Sequence, residues 1–151
     1  MRDEIKIQRL LNKYPQLTYG GFYDEKQNQH RSENDYIYSR NLLKNAKDEF
    51  DRACDWLSLI DKTKSINRRV NSYSLKHIAE KYTGRYISNG SLILAALYMG
   101  FDIKQFENTP NAVFNMSKRS VNLALPEEYN RKPNNPPIVR PSSNEKSDWL
   151  R

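Results

Sequence analysis

One cysteine, two histidines and no long apolar run occur among the 151 residues. Cys54, standing alone, cannot close an internal disulfide, so the fold must be held by packing and hydrogen bonds, and Cys54 reads as a small buried hydrophobe. The two histidines, His30 and His77, supply too few donors for a catalytic metal site. His77 and Glu80 stand three apart on one helix and could face one ligand, but Lys76 and Lys81 crowd a cation, so a surface ion pair or hydrogen bond is expected there. The longest apolar-rich stretch, residues 92–99, is far shorter than a membrane span. Met1-Arg2-Asp3-Glu4 lacks the apolar segment of a secretory signal. No glycine-rich phosphate loop, Ser–His–Asp set, Cys–His pair or carboxylate pair stands out. The expectation is a cytoplasmic, non-enzymatic protein with no metal, no cofactor and no membrane partner. A small enzyme using His77 and Glu80 is the weakest alternative.

What the chain does have is charge, unevenly placed. The net charge is +7. Lys62, Lys64, Arg68, Arg69, Lys76, Lys81 and Arg85 face only Glu80 within residues 62–86. Almost the whole excess therefore sits in one short segment, which raises the potential over one patch. An ordinary solvated surface would also carry such charge, and the functional reading is that it docks on something anionic.

The hydrophobic share of 37% is enough for a modest core in one domain. The expected class is mainly α, of α+β type: a compact helical core with one long helix, a helix-turn-helix-like pair and a small β-hairpin, over residues 1–125. Residues 3–14 read as a short helix with Ile5, Leu10 and Leu11 inward, ended by Pro15. Residues 15–31 read as loop, with a turn at Tyr19-Gly20-Gly21-Phe22. The spacing of Leu43, Ala46, Phe50, Ala53, Cys54, Leu57 and Ile60 predicts one long helix over 33–60, capped by Ser32. Residues 61–71 read as a basic connector. Leu75, Ile78, Ala79 and Tyr82 predict a helix over 72–83 with Gly84 beyond its end, and Lys76, His77, Glu80 and Lys81 pointing elsewhere. Ser88 or Asn89 caps the next helix, apolar almost all round to Met99 and hence the buried central one, with Gly100 ending it. Alternation over 101–116 around Asn108-Thr109-Pro110-Asn111 predicts the hairpin. Ser117 caps a last short helix to about residue 125. Residues 126–151, rich in proline and asparagine, read as a disordered tail with a local anchor at Trp149-Leu150.

Three chemistries fit the basic segment. A winged helix-turn-helix matches the order of elements, but a recognition helix needs an exposed polar face, which residues 91–99 lack. A phosphate site fits better: Ser88, Asn89 and Ser91 place backbone N–H groups at a helix start, Arg85 lies just before it, Arg68, Arg69, Lys76 and Lys81 are expected on the same side, and Lys62 and Lys64 add phosphate contacts from the same segment. Serine and asparagine also cap helices that bind nothing. Stacking of single strands on Tyr73 and Tyr86 is the third, with Tyr82 assigned to the core.

Ser72-Tyr73, Leu75-Lys76-His77, Glu80, Tyr86, Ser88-Asn89-Gly90, Ile93, Ala95-Ala96 and Gly100-Phe101, followed by Pro110-Asn111-Ala112, resemble small uncharacterised bacterial proteins encoded on plasmids, prophages and similar mobile elements. The resemblance spans residues 72–112 only. It implies a mobile-element context and no particular chemistry. In that context the expected function is a nucleic-acid-binding accessory or regulatory protein working through phosphate contacts. The alternative is a non-enzymatic inhibitor or adaptor that binds a host defence or replication protein.

Overall fold

The computed structural model describes residues 2–23, 32–106 and 108–124. Its elements run α1 (Glu4–Lys13), β1 (Leu17–Thr18), β2 (Gly21–Phe22), α2 (Glu33–Lys44), α3 (Lys47–Leu57), β3 (Lys62–Asn71), α4 (Ser72–Thr83), α5 (Asn89–Tyr98), β4 (Ile103–Gln105), β5 (Ala112–Met116) and α6 (Lys118–Leu123). This is an α+β fold of helices around α5, flanked by a two-stranded hairpin and a three-stranded antiparallel sheet of order β3-β5-β4. No helix among the described residues is long and apolar enough to cross a membrane. The expectations for residues 24–31 and 126–151, including Trp149-Leu150, fall outside the described residues.

α5 is the hub. Its residues from Asn89 to Leu97 are all buried, and it packs against α3 most extensively, then against α1, α4 and the β1–β2 hairpin. A helix apolar all round has no face to offer water, so neighbours must surround it. Gly100 (φ 86°) closes its C-terminus: Phe101 N–H donates to Ala96 O and Gly100 N–H to Leu97 O, the two crossed bonds of a glycine-ended helix. The hairpin of β4 and β5 forms as expected, with Ile103 opposite Phe114 and Gln105 opposite Ala112.

The structure departs from the expected elements at five places. The single long helix over 33–60 is two helices. At Asn45 the side-chain amide donates to Asn41 O, and the backbone bonds tighten from Asn45 N–H to Leu42 O and from Ala46 N–H to Leu43 O. A side chain competing for ladder carbonyls breaks the helix, although the apolar spacing continues across the break. The same face also carries Trp56, fully buried, whose indole Nε1–H donates to Ala124 O.

The basic connector over 61–71 is strand β3, paired with β5 through Lys62–Met116, Asn67–Phe114 and Asn71–Val113. Ten residues oppose five, so β3 bulges twice and its extra residues turn away from the ladder. The loop expected over 15–31 contains the short hairpin β1–β2, which reverses at the expected turn and puts Leu17, Tyr19 and Phe22 in the core. Ile5 is exposed rather than inward, and Leu11 is the buried residue of α1.

α4 is rotated about its axis relative to expectation. Ser72, Leu75, Lys76, Ala79 and Glu80 face inward, Ile78 is only partly buried, and Tyr82 is 42% exposed.

The start of α5 crosses the β1–β2 hairpin at closest range. Gly90 N–H donates to Tyr19 O, and a Cβ on Gly90 would collide with the carbonyl of Thr18. Gly90→Ala should therefore destabilise the protein by about 3 kcal/mol or more, as backbone cannot yield like a flexible side chain. A urea midpoint matching the wild type would contradict this close approach.

Candidate nucleic-acid interface

The ten residues singled out in the sequence do not form one surface. Lys62, Lys64, Arg68, Arg69, Lys81 and Arg85 are exposed, whereas Lys76, Ser88, Asn89 and Ser91 are buried. The phosphate pocket expected at the start of α5 is filled by the protein's own groups. Ser88 Oγ accepts from Ser91 N–H and donates to Ser91 Oγ. Asn89 Nδ2 donates to Gly20 O at 3.0 Å and to Asn111 Oδ1 at 2.9 Å, which stitches α5 to both hairpins.

Two carboxylates occupy the place an anion would take. Glu80 Oε2 accepts the Ile87 N–H at 3.1 Å, and Glu49 Oε1 accepts the Ser88 N–H at 2.7 Å. Glu49 also accepts from the Tyr19 hydroxyl through Oε2. Negative groups at a helix start are favoured by its dipole and its unpaired N–H groups. Here those carboxylates come from α3 and α4, so an external phosphate would have to displace them.

Glu80 explains why Lys76 is inside. The Lys76 ammonium, on a residue only 1% exposed, meets Glu80 Oε2 at 3.0 Å, and Glu80 is 2% exposed. The ammonium also lies 4.6 Å from the Tyr86 ring centre and 5.4 Å from that of Tyr73, as favourable cation–ring contacts. His77 Nδ1 lies 3.0 Å from Glu80 Oε1, and the His77 ring meets Tyr73 edge-on. The hydrogen bond between His77 and Glu80 is therefore real, but its carboxylate end is buried rather than on the surface. Burial pushes the Glu80 carboxyl upward, and this is the largest single influence. The bonds from His77, Lys76 and the Ile87 N–H together outweigh it and hold the group below its ordinary value. Among the described residues no group of three or more His, Cys, Asp or Glu could hold a metal ion.

The exposed cations lie on two neighbouring elements. Lys62, Lys64, Arg68 and Arg69 belong to β3, which contains no carboxylate and forms one edge of its sheet. Lys62 spreads its ammonium over the Phe101 ring at 5.2 Å. β3 runs straight into α4, since Asn71, its last residue, caps the helix by accepting from Ser74 N–H. Lys81 and Arg85 lie at the far end of α4, on either side of the left-handed Gly84. None of the six forms a salt bridge with a carboxylate among the described residues. By contrast, Arg40 is turned inward onto the carbonyls of Leu11, Tyr14 and Leu17, and Arg2 and Lys47 pair with acids.

No protein-family model, curated protein or solved structure matches the chain.

A carboxylate that folding holds below its ordinary value of 4.5 stabilises the native state above that pH, and the contribution is lost as pH falls through the folded value. Glu80→Gln leaves Lys76 buried without its counter-charge and should cost about 3–5 kcal/mol near neutral pH. The gap to wild type should narrow as the medium is acidified below the ordinary carboxylate value. Urea unfolding across pH checks this, and a variant as stable as wild type at pH 7 would refute it.

Proposed function

We propose that the protein binds nucleic acid, mainly through phosphate contacts along β3, as an accessory or regulatory factor of a bacterial mobile element. The observation that carries this reading is an edge strand with four exposed cations, no acidic residue and no carboxylate partner among the described residues. Cations that fold stability does not use remain available to an external polyanion, and their grouping raises the local potential. The bulges of β3 support the same reading, because they lift side chains off a regular ladder and re-aim them. Base-edge readout by α5 plays no part, because that helix is buried.

One observation favours a second reading. Among the described residues β3 has β5 on one side only, so it is an edge strand of its sheet. A host protein could add a strand there, and the cations would select an acidic partner strand while discouraging self-pairing. This is the inhibitor or adaptor alternative.

The test is a gel shift with duplex DNA, single-stranded DNA and RNA at two salt concentrations. Replacing Lys64, Arg68 and Arg69 together by Ala should weaken binding with the circular dichroism spectrum unchanged. It should also reduce the slope of log affinity against log salt by about 2–3, at roughly 0.7–0.9 per lost phosphate contact. Unchanged affinity and slope would sink the phosphate reading. Retention of a stoichiometric host protein after nuclease treatment, with no shift of any nucleic acid, would move the assignment to the second.

A further inference from the structure

The basic segment carries three tyrosines, and the fold uses them differently. Tyr86 is buried and Tyr73 partly buried, and both pack against the Lys76 ammonium, with His77 also against Tyr73. Two of the three rings therefore line an internal charge. Tyr82 is turned outward, 42% exposed, and makes no hydrogen bond or ring contact among the described residues. Its neighbour Lys81 is exposed, and so is Arg85 just past the Gly84 turn. Lys81 precedes Tyr82 directly and Arg85 follows three residues later, beyond the left-handed Gly84, so exposed cations flank the ring along the chain. The negative end of the α4 dipole accounts for a cation in the last turn. It does not account for an aromatic ring left in water beside it. Among the described residues the other exposed tyrosine is Tyr38 on α2, which shares its turn with Asp35.

An exposed ring with exposed cations before and after it in sequence suits an unpaired base: the ring stacks on the base face while the charges take the flanking phosphates. In a duplex the bases are stacked on each other and present only edges in the grooves, which a tyrosine face cannot use. We propose that the outer face of α4 is a single-strand binding site, with one base stacked on Tyr82 and its neighbouring phosphates paired with Lys81 and Arg85. This deepens the nucleic-acid reading and rests on it, because β3 supplies the phosphate contacts that lead into α4.

The experiment is fluorescence anisotropy of labelled oligo(dT) and of a duplex of equal length. Wild type, Tyr82→Ala, Tyr82→Phe and the variant lacking Lys64, Arg68 and Arg69 are compared. Tyr82→Ala should bind oligo(dT) roughly tenfold or more weakly, Tyr82→Phe should bind as wild type, and duplex binding should be the same in wild type and both Tyr82 variants. Since Tyr82 is exposed and unbonded, these variants should fold normally. If Tyr82→Ala binds oligo(dT) as wild type does, or loses duplex binding equally, the stacking site is wrong. If it fails this way while the β3 variant still loses affinity, the phosphate reading stands. If the β3 variant also binds normally, that reading is what fails.

Discussion

The Glu80 carboxylate is the group on which the rest of the arrangement depends. It takes the Lys76 ammonium, the His77 ring nitrogen and the Ile87 N–H at once, from a position almost without solvent. Remove its charge and the Lys76 ammonium is left buried without a counter-charge. Glu49 does the parallel service for the Ser88 N–H and the Tyr19 hydroxyl. Between them the two carboxylates fix the stretch from Tyr86 to Ser88 against α3 and α4. That in turn aims α5, an almost wholly apolar helix, into the middle of the fold.

The same arrangement sorts the cations of the basic segment. Lys76 is spent inside on Glu80 and two tyrosine rings. The remaining six meet no carboxylate among the described residues, and they lie exposed on β3 and at the end of α4. Among the described residues, internal carboxylates serve the start of α5, and none pairs with the cations of the strand. An anion docking at the basic segment would therefore meet side chains on β3 and the end of α4 before the occupied backbone amides at the start of α5.

Much of this frame was legible in the residues. Gly84 and Gly100 ended their helices, Ser32, Ser88 and Ser117 capped theirs, and the alternation around 108–111 gave a hairpin. Each of those signals is local, so neighbouring residues suffice to read it. The failures share the opposite property. β3 has only Ile66 and Val70 as apolar residues, and it is a strand because β5 lies beside it, which no local pattern announces. The break between α2 and α3 turns on one asparagine side chain against an apolar period that runs on regardless.

The site was the least legible part for a related reason. Lys76 and Glu80, spaced four apart, have the pattern of a solvent-facing ion pair, and only their mutual pairing makes them fit to be buried. Taking that pair inward rolled α4 and left Tyr82 in water where the spacing had assigned it to the core. A signal was present in the concentration of tyrosine beside Lys76, two rings able to surround an ammonium. It becomes a signal only when the lysine is known to be inside.

The central claim is that the cations act from β3 and α4 while the amides of α5 are already occupied from within. A backbone-amide NMR titration of the protein with a short oligonucleotide tests it directly. Resonances of Lys62 to Asn71 and of Lys81 to Arg85 should move in proportion to bound ligand, with those of Ile87 to Ser91 staying in place. Large shifts confined to Ile87 to Ser91, or no shifts along β3, would contradict it.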